Sequence, residues 1–63
     1  MARYIKTENG FRIYKLDSIE CKYYKRTYPT FVCWKGHDEV GNMDFTENET
    51  ETLTEMVEWC REG

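Results

Sequence analysis

Residues Thr46–Arg61, TENETETLTEMVEWCR, decide the fold. Leu53, Met56, Val57 and Cys60 recur at i, i+3, i+4 and i+7, which places them on one stripe of an α-helix. Thr46 followed three residues later by Glu49 has the form of a capping box that starts this helix. Glu47, Glu49 and Glu51 then fall where the positive end of the helix dipole favours carboxylates. No other stretch shows helical period, so the reading predicts one long helix. Its apolar stripe needs a partner, and only the first 45 residues can supply one.

Working outward, Ala2–Thr7 and Phe11–Leu16 flank Glu8-Asn9-Gly10, a strong hairpin signal. A two-residue Asn-Gly turn would set Ile5 opposite Tyr14 and leave both faces mixed. A three-residue loop sets Ile5 opposite Ile13 and gathers Ile5, Phe11 and Ile13 on one face, which the helix stripe requires. The second register is therefore expected, with Gly10 left-handed. Ile19–Arg26 alternates Ile19, Cys21 and Tyr23 against Glu20, Lys22, Tyr24 and Arg26, and predicts a third strand after a short Asp17-Ser18 turn. Phe31–Lys35 is a short apolar strand whose inward face the pattern leaves open. Gly36–Glu39 is a turn, and Val40–Phe45 is a weaker last strand with Gly41 in a bulge. The expected fold class is α+β: an antiparallel meander of four to five strands with one C-terminal helix packed on one face, in a single domain spanning residues 1–63.

Sixty-three residues leave room for a core but not for a core and a deep cleft. This argues against a small-molecule enzyme. So small a core would gain from a homodimer or a bound partner. No apolar run approaches a signal or membrane-spanning segment, and three cysteines suit free thiols, so a cytoplasmic protein without membrane association is expected. Asn48-Glu49-Thr50 matches a glycosylation sequon, a pattern short enough to arise by chance.

The charge is divided. Residues 1–36 hold eight cations against three carboxylates, net +5, and residues 37–63 hold one against nine, net −8, which together give the overall −3. On the acidic side, Glu47, Glu51, Glu55, Glu58 and Glu62 are expected along the solvent face of the helix. Such a row can engage a basic surface on a partner protein, and a nucleic-acid-handling enzyme is one class of partner with such a surface. It also serves plain solubility. On the basic side, Tyr4, Lys6, Arg12, Tyr14, Lys22, Tyr24 and Arg26 are expected on an open sheet face, where cations can meet phosphates and rings can stack on bases. The same pattern also suits any half-solvated strand.

Cys33 and His37, with Cys21 and Cys60, supply the ligand types of a Cys₃His zinc site, but no CxxC knuckle accompanies them. Buried cysteines acting as small hydrophobes are the simpler expectation, with no metal and no cofactor. A Cys33/His37 nucleophile pair lacks an orienting third group. The reading is thus a non-enzymatic protein-binding module, an accessory regulator or inhibitor using the acidic helix side. In character it resembles the small phage and mobile-element inhibitors of nucleic-acid enzymes, without a shared motif. The alternative is a DNA- or RNA-binding module using the basic, aromatic sheet face. Its layout is loosely similar to small DNA-reading domains that back a three-stranded sheet with one helix.

Overall fold

A computed structural model describing residues 1–63 gives a four-stranded antiparallel sheet in the order β1-β2-β3-β4, with a C-terminal helix packed on it. The strands are β1 (Arg3–Glu8), β2 (Phe11–Leu16), β3 (Thr30–Lys35) and β4 (Asn48–Thr50), and the helices are α1 (Ser18–Tyr23) and α2 (Leu53–Glu62). The α+β meander is therefore as the sequence indicates, but several of its parts come from other residues than expected. No helix is long and apolar enough to cross a membrane.

The C-terminal helix starts at Leu53, seven residues later than Thr46. The stretch contains two Thr-x-x-Glu signals, and the second is the one used. Thr52 is the N-cap: its hydroxyl oxygen accepts from the Glu55 N–H at 3.2 Å and its hydroxyl donates to the Glu55 carboxylate at 2.8 Å. Residues 48–50 instead form β4, with Asn48, Glu49 and Thr50 opposite Cys33, Val32 and Phe31. Pairing the outer edge of β3 satisfies its ladder, and that tertiary gain overrides the local cap at Thr46. The stripe survives the shorter helix. Met56 and Cys60 are fully buried, while Leu53 and Val57 are partly buried against the same cluster. Thr52→Ala should cost about 1 kcal/mol, measured by urea denaturation, because it strands an amide of the first turn.

Both candidate hairpin registers are present, each over part of the hairpin. Asn9 and Gly10 have φ of 53° and 83°, the two positive values of a two-residue type I′ turn, so the expected three-residue loop does not form. Glu8, Thr7 and Lys6 then face Phe11, Arg12 and Ile13. The register shifts between Tyr4 and Lys6, and beyond this bulge Tyr4 faces Tyr14 and Arg3 faces Lys15. The extra residue, Ile5, still packs against the helix-side cluster with Phe11 and Ile13. The apolar face is thus as expected, although the turn is not. Asn9 also donates its side-chain amide to the Cys60 carbonyl at 2.9 Å, which ties the turn to the end of α2 and satisfies a carbonyl of the last turn.

The expected third strand, Ile19–Arg26, is instead α1. Asp17 forms a capping box with Glu20: its carboxylate accepts from the Glu20 N–H at 2.7 Å, and the Glu20 side chain accepts from the Asp17 N–H at 3.0 Å. Alternation over six residues does not separate strand from a helix this short, and the cap decides. Val40–Phe45 is not a strand either. It is a turn followed by a 3₁₀ turn at Met43–Phe45, capped by the Asn42 side chain.

These two segments cover the sheet face that was expected to be open. Val32 and Trp34 of β3 pack there with Leu16 and Cys21, joined by the partly buried Tyr14, Tyr24, Val40 and Met43. Phe31 and Cys33, the alternate residues of β3, pack under α2 with Phe11, Ile13, Met56 and Cys60. β3 therefore has no polar face, because both of its faces are inward.

Candidate functional site

Three of the five expected acidic residues lie on the exposed side of α2, and a fourth lies just before it. Glu55, Glu58 and Glu62 project from α2 with Glu51 just before its cap, and all four are exposed. The spacing of Glu55, Glu58 and Glu62 by three and four residues puts neighbouring side chains about 5–6 Å apart on the helix, where like charges repel, while Glu51 lies outside the helix, before the extended Thr52 cap. None of the four forms an ion pair. Glu47 is not on this helix, because it lies between the 3₁₀ turn and β4, where its N–H donates to the Cys33 carbonyl at 2.8 Å. Trp59, not expected as a site residue, lies on α2 next to Glu58 with 36% of its surface exposed, and its ring meets Phe11 edge-on at 5.3 Å. A third-exposed Trp held by its inner edge is the kind of rigid anchor on which interfaces concentrate their energy. Helical spacing alone could not distinguish this position from a core edge.

The basic and aromatic set is dispersed by the bulge and by α1. Tyr4, Arg12 and Tyr14 share the face opposite α2, where Tyr4, Tyr14 and Trp34 form a chain of edge-to-face rings at 5.5 Å each. Lys6 lies opposite Ile13 of the helix-side core and is paired with Glu8 at 3.0 Å, so it leaves the expected set. Lys22 lies on α1, and Tyr24 and Arg26 lie in the turn after it, rather than on a third strand. Arg26 is held by both carboxylate oxygens of Glu49, at 2.6 and 3.2 Å, and by the Tyr24 carbonyl at 2.7 Å. Arg12 meets the His37 ring at 2.8 Å. Of the set, Tyr4 and Lys22 are left exposed without a charged partner, and Tyr14 and Tyr24 are half-buried.

The cysteines and His37 do not converge. Cys33 and Cys60 lie together under α2, Cys21 lies in the opposite layer, and His37 is in an exposed turn. No three His, Cys, Asp or Glu side chains are placed to hold one metal ion. Burial pushes the Cys33 thiol up to about 12, with Cys60 beside it adding to the rise, and burial also raises Cys60. Thiols held protonated in this way are poor nucleophiles. Glu8, between Lys6 and Arg61, has its carboxyl lowered first by the Lys6 hydrogen bond and then by Arg61, and it braces β1 to the end of α2. Compared with known proteins, the chain matches no family model, no curated sequence and no solved structure.

Proposed function

We propose that the protein is a non-enzymatic binding module that engages a basic surface of a partner protein through the outer side of α2, as a cytoplasmic accessory regulator or inhibitor. The observation that carries this reading is the set of unpaired carboxylates Glu55, Glu58 and Glu62 on α2, with Glu51 just before it, beside the third-exposed Trp59. A row of like charges at helical spacing costs the helix stability, and no cation of the chain offsets it here. A cationic partner surface would. A nucleic-acid-handling enzyme fits, because its substrate channel is already built to receive rows of negative charge.

The test compares the parent with the Glu51→Lys, Glu55→Lys, Glu58→Lys variant in affinity capture from a cell extract, followed by kinetics on the recovered partner. The variant should fold, since these side chains point away from Leu53 and Val57. It should bind at least tenfold more weakly, mostly through a slower association rate, and the difference should shrink at high salt. Duplex DNA should compete with the parent for that partner. Equal capture by the variant would remove the acidic side from the interaction.

The second reading, direct nucleic-acid binding, rests on the face shared by Tyr4, Arg12 and Tyr14. It is weakened by the pairing of Arg26 and the loss of Lys6 from that face. No electrophoretic shift of duplex or single strands is expected at physiological salt. A salt-dependent shift, lost on Arg12→Ala with Lys22→Ala, would favour it.

A further inference from the structure

We propose that the notch bounded by Arg3, Lys15 and Tyr28 binds a phosphate-sized oxyanion. Arg3 lies opposite Lys15, Lys15 opposite Phe31 and Phe31 opposite Thr50, so these residues form one row at the end of the sheet away from the Asn9-Gly10 turn. Like charges directly opposed across a ladder destabilise it. Elsewhere in this hairpin the cations are provided for, Lys6 by Glu8 and Arg12 by the His37 ring. Arg3 and Lys15 have no ion pair. They form a cationic pair with no carboxylate partner, lining the largest concavity of the molecule, about 240 Å³, which Met1, Leu16, Asp17 and Tyr28 complete.

Two features give this notch a ligand chemistry. The Lys15 ammonium sits 5.2 Å from the centre of the Tyr28 ring, a cation–π contact that positions it at the wall of the notch. A guanidinium fork next to a point-like ammonium is a donor pair suited to phosphate. The one carboxylate in the lining, Asp17, is already engaged, by the Met1 ammonium and by the Glu20 N–H at 2.7 Å. The volume falls below that of typical small-molecule pockets, so the notch suits one oxyanion group with the rest of any ligand outside. The site shares no residue with the α2 carboxylates and stands apart from the reading of their function.

Titrating isotopically labelled protein with sodium phosphate near neutral pH, against sodium chloride at matched ionic strength, tests this by amide chemical shifts. Phosphate should give saturable shifts in the millimolar range at Arg3, Lys15, Leu16 and Tyr28, absent with chloride. The Arg3→Gln, Lys15→Gln variant should bind at least tenfold more weakly. It should also melt no lower than the parent, because the substitutions relieve a repulsion. A nucleoside 5′-monophosphate run alongside identifies the source. Tenfold tighter binding than inorganic phosphate points to a phosphate ester, and equal binding points to free phosphate. Shifts that never saturate, that appear equally with chloride, that are as large at Lys22 and Lys25, or that survive in the double variant would overturn the proposal.

Discussion

Trp34→Ala should lower the stability of the chain by about 3–5 kcal/mol, the largest loss expected from substitutions at Trp34 or Trp59. Trp34 is 1% exposed on the sheet face opposite α2, in a layer where Leu16, Cys21 and Val32 are buried as completely. Its ring meets Tyr14 edge-on at 5.5 Å, and its indole N–H donates to the Asn42 carbonyl at 2.8 Å, which fixes the loop that roofs this layer. Truncating a buried Trp to Ala costs about 3–5 kcal/mol. A domain of this length holds roughly 3–9 kcal/mol in total. The substitution therefore removes a third or more of the stability, and the Asn42 carbonyl loses its donor as well. Trp34→Phe keeps most of the ring and should cost less, about 1–3 kcal/mol. Trp59→Ala, at a third-exposed position, should be milder still. Urea denaturation followed by circular dichroism reads all three. A parent-like midpoint for W34A would mean that the second layer lies outside the cooperative core.

That second layer is also where the sequence was hardest to read. The α2 stripe was legible because Leu53, Met56, Val57 and Cys60 run through two turns, long enough for the helical period to stand out. The segment after β2 has only six helical residues, and Ile19, Cys21 and Tyr23 satisfy a strand pattern just as well. In the helix, Cys21 faces the core while Ile19 and Tyr23 are each 78% exposed. The signal that could have settled it was Asp17-x-x-Glu20, a capping box as plain as the one at Thr46 that the fold does not use. The run Thr30–Lys35 held a second clue. Its inward face could not be chosen because both faces are inward, and a strand apolar on both sides implies a sheet covered on both sides. The hairpin registers were each right over part of the ladder, and pattern matching in one register cannot represent a bulge.

The candidate sites divide in the same way. Glu55, Glu58 and Glu62 followed from helical spacing relative to Leu53, which does not depend on where the helix starts, whereas Glu51 falls just before the cap. Glu47 did depend on it and was lost when residues 48–50 joined the sheet. Arg3 opposite Lys15 was implied by the register chosen for the hairpin. The position of Tyr28 beside them depends on how the chain returns from α1 to β3, which no local pattern encodes.

Stability should fall as the pH rises above about 9, and Cys33→Ala should remove part of that fall. Cys33 is fully buried, and burial raises its thiol from 9.0 to about 12, with the neighbouring Cys60 adding to the rise. Below pH 9 the thiol is protonated in both the folded and the unfolded chain, so its contribution does not change there. Between 9 and 12 the unfolded chain gives up the proton and the folded chain keeps it. The unfolded state then binds fewer protons, so stability declines with pH, at about 1.4 kcal/mol per unit for one thiol. Cys60, raised by burial as well, pushes in the same direction. Removing the Cys33 sulfur shifts the whole curve down by a cavity cost that does not vary with pH, so the informative quantity is the slope. Urea midpoints for parent and C33A, taken at half-unit steps from about pH 8 to about pH 10, should diverge below pH 9 by little more than that constant offset. Above it they should draw together, the parent falling more steeply by up to about 1.4 kcal/mol per unit. Parallel curves throughout would mean that the thiol ionises in the folded protein as it does in the unfolded chain, and that the layer between α2 and the sheet admits water.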